Sequence, residues 1–193
     1  MAWTLTDDLD DYLAAAGGFL RSRPVQHTIQ LAAAETLRAR GASAFGPTAP
    51  LFGWWRSGTG EITAALLHTP PYPALLTPLP EDSAGPLAEA LAACRRKLAA
   101  VSAQEGDAAQ FAASWSRLTG VSSQESRRSR LFRLGQLRPP APYPRGAARV
   151  ATPAPSASCS ACASTTSSPS PSTSASACGS WMAAPAGRTR GAS

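Results

Sequence analysis

The chain has 193 residues, 44% of them apolar, with a formal net charge of +6 that is divided unevenly along its length. All 12 acidic residues lie at or before Glu125 beside 9 basic ones, net −3, whereas 9 Arg and no acid follow from Ser126 onward. Arginines strung along a strand entry and a Pro/Gly linker, rather than clustered on one face, speak against a nucleic-acid surface. No apolar run approaches the roughly 18 to 20 residues of a membrane span, and the acidic opening Met1–Asp11 lacks the basic start of a signal peptide. A soluble, cytoplasmic protein is expected.

In chain order, Thr6 followed by Asp7 and Asp8 predicts a helix start, a hydroxyl cap with carboxylates at the positive end of the dipole. Leu9, Tyr12, Leu13, Ala16 and Leu20 continue at helical spacing to the Gly17-Gly18 pair or just past it. Pro24 opens a second helix with Ile29, Leu31, Ala34 and Leu37 on one stripe, closed by Gly41. Leu51–Trp55 reads as an aromatic-rich strand, Ser57–Gly60 as a hairpin turn and Glu61–Thr69 as the returning strand. Ala74–Leu79 is a third strand. Asp82 or Ser83 caps a helix carrying Leu87, Leu91, Cys94 and Leu98, with Arg95, Arg96 and Lys97 at its negative end. Asp107–Leu118 is another helix, with Phe111 and Trp115 at i and i+4, ending at Gly120.

Arg130–Leu137 is the last expected strand, on Leu131, Leu134 and Leu137, and Arg138 begins a stiff Pro-rich linker. The character of the chain then changes. From Ala151 to Ser193 there is no Leu, Ile, Val, Phe, Tyr or acid, and Ser, Ala, Pro and Thr make up roughly three quarters. The expectation is an α/β (α+β) fold: a mixed, mainly antiparallel sheet with flanking helices over 1–137, a linker over 138–150 and a disordered tail over 151–193. The heavy Ala, Gly, Pro and Arg usage suggests GC-rich coding, so the tail from about Pro155 is read as a shifted frame, or else as a real disordered or mucin-like segment.

Little chemistry is visible. Gly58-Thr-Gly60 lacks the pattern of a phosphate loop, and no Ser–His–Asp or Cys–His arrangement can be assembled. His27 and His68 read as packing or capping residues, and the Asp7, Asp8, Asp10, Asp11 cluster as a capped, solvated helix face. Trp54 and Trp55 are expected as one core ring and one half-exposed ring on opposite strand faces. Cys94 is expected as a buried or half-buried thiol, and the lone Cys159-x-x-Cys162 pair, with Cys178 beyond, makes neither a zinc nor a redox site. No catalytic residue and no metal ligand is assigned.

Several segments together resemble the amino-terminal part of actinobacterial GNAT-superfamily N-acetyltransferases. These are Trp3-Thr-Leu-Thr-Asp-Asp-Leu-Asp, Arg23-Pro-Val-Gln-His-Thr, Phe52-Gly-Trp-Trp, Ala65-Leu-Leu-His-Thr-Pro-Pro-Tyr-Pro and Arg130-Leu-Phe-Arg-Leu-Gly-Gln-Leu. The likeness runs from residue 1 to about 154. It implies a degenerate acetyltransferase-like half, acetyl-CoA as cofactor and an amine of unknown identity as acceptor. The family's acetyl-CoA signature, R/Q-x-x-G-x-G/A, follows a strand at the amino end of a helix, where backbone N–H groups hold the pyrophosphate. At the equivalent place this chain has Leu79-Pro-Glu-Asp-Ser-Ala-Gly-Pro, with two acids and no leading Arg or Gln. The residues that bind acetyl-CoA are therefore unassigned. Two functions follow as expectations: an N-acetyltransferase by lineage, truncated and inactive in this chain, or a non-catalytic binding module with a disordered basic tail.

Overall fold

The computed structural model describes residues 1–146 and 176–183. Two compact units divide the chain, Met1–Leu131 with Ala175–Ser193 and, separately, Phe132–Ser174. In the first unit the elements follow as β1 (Ala2–Thr6), α1 (Leu9–Ser22), α2 (Thr28–Arg40), β2 (Leu51–Arg56), β3 (Ile62–His68), β4 (Ala74–Leu76), α3 (Ala84–Ala93), β5 (Ala100–Gln104), α4 (Glu105–Thr119), β6 (Ser123–Leu131) and β7 (Ser176–Ala183). The strands form one seven-stranded sheet in the order β1-β2-β3-β4-β5-β7-β6. The sheet is mixed and mainly antiparallel: every adjacent pair runs antiparallel except β4 and β5.

Strand alternation divides the apolar side chains between two helical layers. On one face Phe52, Trp54, Ala65 and Leu67 meet Tyr12, Ala16 and Leu20 of α1 and Ala34 and Leu37 of α2. On the other, Leu66, Leu76, Val101 and Ala103 meet Leu87 and Leu91 of α3 and Phe111 and Trp115 of α4. An aromatic contact ties one layer to the sheet, Tyr12 stacking on Phe52 with centroids 5.0 Å apart, and within α4 Phe111 lies 6.0 Å from Trp115. Both Trp54 and Trp55 are buried, so the expectation of one half-exposed ring is corrected. Trp55 is covered by Trp3 of β1, 5.8 Å away, and β1 had no place among the expected elements.

Local chemistry explains the helix ends. Asp8 rather than Thr6 caps α1, its Oδ1 accepting from the N–H groups of Asp10 and Asp11 at 2.7 and 3.0 Å. Thr6 instead accepts from Asp8 N–H. The helix α2 starts at Thr28, four residues past Pro24, and buries Gln30, Ala33, Ala34 and Leu37. Ile29, expected on that buried stripe, is 62% exposed. Gly120 at φ 70 closes α4 as expected. The helix α3 stops at Ala93, leaving Cys94 as an exposed C-cap instead of the expected buried or half-buried thiol. Arg95 then takes a left-handed φ of 51 and leads the chain out of the helix towards β5, a strand that the expected order lacks.

The last strand of the main segment is Ser123–Leu131, not Arg130–Leu137. In the second unit residues 132–146 carry no helix or strand, and Phe132, Leu134 and Leu137 are exposed. Of the expected tail, Ser176–Ala183 is strand β7, pairing antiparallel with β5 and β6. The shifted frame from about Pro155, the end of the linker at 147–150 and the Cys159/Cys162 pair concern residues outside those described.

Two glycines give opposite outcomes on gaining a methyl group. Gly53 lies in β2 between Leu5 of β1 and Leu66 of β3, and a Cβ there would sit 2.6 Å from Leu5 Cδ2 and 3.2 Å from the Thr4 carbonyl oxygen. Gly53→Ala is expected to lower stability by about 1–3 kcal/mol through overpacking. Gly18, inside α1 with nothing within 4 Å of its added Cβ, is expected to gain about 0.5–1 kcal/mol as Ala. Denaturant unfolding of both variants checks the pair.

Candidate functional site

The site begins with a backbone event. β4 pairs with β5 in parallel at only two positions, Ala74 with Val101 and Leu75 with Ser102. Just beyond β4, Thr77 N–H donates to the Ala65 carbonyl at 3.0 Å, and Thr77 Oγ1 accepts from Ala65 N–H at 2.8 Å. A main-chain carbonyl would ordinarily take that N–H in an antiparallel ladder. Here the hydroxyl takes it, so the backbone need not continue the ladder along β3, and Pro78 has no N–H to extend it. The strand ends, while β5 runs on to Gln104.

A cleft of about 420 Å³ opens between these two strand ends. This is the carboxyl end of the parallel pair, the position where ligands bind in open α/β sheets, and its volume is that of a small-molecule site. Leu75 and Pro78 give it an apolar floor, Val25 and Ile29 come from the entry to α2, and Arg127 and Leu131 come from β6. Among the described residues no acidic one lines it.

The loop from β4 to α3 lies at the position of the expected acetyl-CoA signature, and its polar groups bind within the protein. Leu79 N–H donates to Asp107 Oδ2 at 3.1 Å. Asp107 stands in the first turn of α4. Burial pushes its carboxyl above the ordinary value, and the Leu79 N–H works against that shift. Ser83 Oγ and N–H both donate to the Pro80 carbonyl, at 2.7 and 3.1 Å, and the Ser83 carbonyl accepts from Trp3 Nε1 at 2.9 Å. Glu81 and Asp82 are exposed on the same loop, and Asp82 has φ 66. A pyrophosphate placed here would meet one carboxylate already holding a loop N–H and two more beside it. The residues do not fit acetyl-CoA.

Neither histidine lines the cleft. His27, fully buried ahead of α2, donates from Nδ1 to the Leu20 carbonyl at 3.0 Å and lies 5.0 Å from the Phe19 ring. His68, at the end of β3, accepts at Nδ1 from Arg96 Nε at 3.2 Å, and Arg96 also donates to the Ala49 carbonyl. Burial, with the Arg96 charge beside it, holds His68 down to about 4 from its ordinary 6.5. Burial lowers His27 as well. Both rings act as packing groups. Asp7, Asp8 and Asp10 gather near Arg38 at the opening of α1, where Asp8 is a cap. Among the described residues no group of three or more His, Cys, Asp or Glu is placed to hold a metal, and no helix is long and apolar enough to cross a membrane.

Comparison with known proteins gives no matching family model, no matching curated protein and no matching solved structure.

Thr77→Val, which leaves the buried Ala65 N–H without its acceptor, is expected to cost about 1–3 kcal/mol. Thr77→Ser, which keeps the oxygen, should restore most of it in thermal unfolding. His68 predicts an acid limb. Between pH 6.5 and about 4 the unfolded ring binds a proton and the folded one does not. Stability is therefore full above 6.5 and falls as pH drops through that window, by up to roughly 3 kcal/mol. Urea midpoints measured from pH 7 to 4 should show the fall, and His68→Gln should flatten it.

Proposed function

We propose that this chain is an N-acetyltransferase-like half of GNAT lineage that does not itself carry out acetyl transfer, and that its role is ligand binding at the cleft between β4 and β5. The lineage is supported by the family-like segments quoted above, which fall on β1, the entry to α2, β2, β3 and the end of β6 with the residues after it. A cytoplasmic location goes with that lineage.

One observation carries the loss of activity: the loop that would meet the cofactor's pyrophosphate is tied to a carboxylate of the chain, Leu79 N–H to Asp107. Anion binding at a strand-to-helix loop needs backbone N–H groups turned towards the ligand and no negative charge close by. Asp107, Glu81 and Asp82 reverse that electrostatic sign. No catalytic acid, base or oxyanion donor is assigned, because the cleft offers neither a histidine nor a carboxylate. The cleft itself favours the second expected function, a binding module, and the two are compatible: a domain of enzyme ancestry can retain a pocket after its cofactor loop is lost.

Isothermal titration of the full chain with acetyl-CoA tests this reading. The expected result is no saturable heat up to about 1 mM ligand, an affinity weaker than about −4 kcal/mol. Saturable binding in the micromolar range, or acetyl transfer to a panel of amines, would overturn it.

A further inference from the structure

The chemistry of the cleft selects a ligand class, an inference that rests on reading the cleft as the chain's ligand site. On β6 the arginines differ in their partners. Arg128 faces α4 and is held by Glu105 Oε1 at 2.8 Å and by Glu125 at 2.6 Å. Arg127, one residue earlier, lines the cleft, as do Ser129, Arg130 and Leu131. The side chains of Arg127 and Arg130 make no ion pair or hydrogen bond with a described side chain. The sequence has no Asp or Glu after Glu125, so no tail side chain can neutralise them.

The same lining carries apolar side chains. Ile29 is 62% exposed although it belongs to a helix whose neighbouring turn is buried. With Val25, Leu75 and Leu131 it forms a surface that water meets and no described side chain covers. The first turn of α2 carries no acid that would repel an anion. We infer that the cleft binds a small amphipathic carboxylate, its aliphatic body against Ile29, Val25 and Leu75 and its anionic head on Arg127 and Arg130. The arginine fork matches a carboxylate in two parallel hydrogen bonds, while the low polarity of the floor favours a hydrocarbon body over a fully polar anion such as inorganic phosphate. A cationic amphiphile of equal length would be repelled by the same two groups.

Titration of the full chain with sodium octanoate, octylammonium chloride and sodium phosphate, followed by calorimetry below the amphiphiles' micelle-forming concentrations, tests this. Octanoate is expected to bind saturably, more weakly as salt rises, and the other two are expected not to bind. The double variant Arg127→Gln/Arg130→Gln, its fold checked by circular dichroism, should lose about tenfold or more in octanoate affinity. Arg128→Gln should bind as the parent does. Absence of octanoate binding, equal binding of octylammonium, or a double variant that binds octanoate undiminished would overturn the inference. Acetyl-CoA added as a separate titrant distinguishes the two levels: its binding would overturn the proposed function, whereas a silent octanoate titration alone would overturn only the ligand class.

Discussion

The molecule is organised around the short parallel pairing of β4 with β5. Parallel strands cannot be joined by a tight turn, so a crossover is required, and the chain supplies it as α3 with the loops on either side. That crossover places α3 on the face opposite α1 and α2, which gives the sheet helices on both sides. It also brings the carboxyl ends of β4 and β5 side by side in a sheet whose other strands alternate in direction. Just past β4 the Thr77 hydroxyl takes over a ladder position opposite Ala65 of β3, and the parallel pairing of β4 with β5 spans two residues. Sheet, crossover and cleft thus follow from one local arrangement, with a side-chain oxygen at its centre.

The two sides of the same junction differ in their chemistry. At the α3 end, the loop turns its donors inward: Leu79 to Asp107, Ser83 to Pro80. On the α2 and β6 side the site is open, apolar and edged by two arginines with no acid along the lining. An acetyltransferase needs a cofactor and an acceptor held together. This chain pairs an accommodating cleft with a loop whose charge repels a pyrophosphate. That mismatch, rather than any single missing residue, supports the proposal that the cleft takes a ligand other than acetyl-CoA.

Much of the fold was legible from burial patterns. The helices α1 and α4, the β2–β3 hairpin and the mixed, mainly antiparallel sheet follow from apolar periodicity and from caps such as Gly120. What escaped were strands whose residues do not advertise burial. Ala2–Thr6 reads as a lead-in to a helix, Ala100–Gln104 is short and small, and Ser123–Leu131 is mostly polar because it is an edge strand held by its ladder. Conversely Leu134 and Leu137 look like a strand face yet are exposed. The cleft was not legible either. It depends on a hydroxyl-for-carbonyl exchange at Thr77 and on Arg127 meeting Ile29 across about a hundred residues of sequence, and neither leaves a spacing signal. The acidic loop was legible, because Glu81 and Asp82 stand where glycines and an Arg or Gln would be needed; the part played by Asp107 required the fold.

The most direct test is amide hydrogen exchange of Leu79, followed by NMR with and without excess acetyl-CoA. If the Asp107 carboxylate holds that N–H within the fold, the amide exchanges slowly, is accelerated by Asp107→Ala and does not respond to the cofactor. A Leu79 amide that exchanges freely and becomes protected when acetyl-CoA is added would contradict the account.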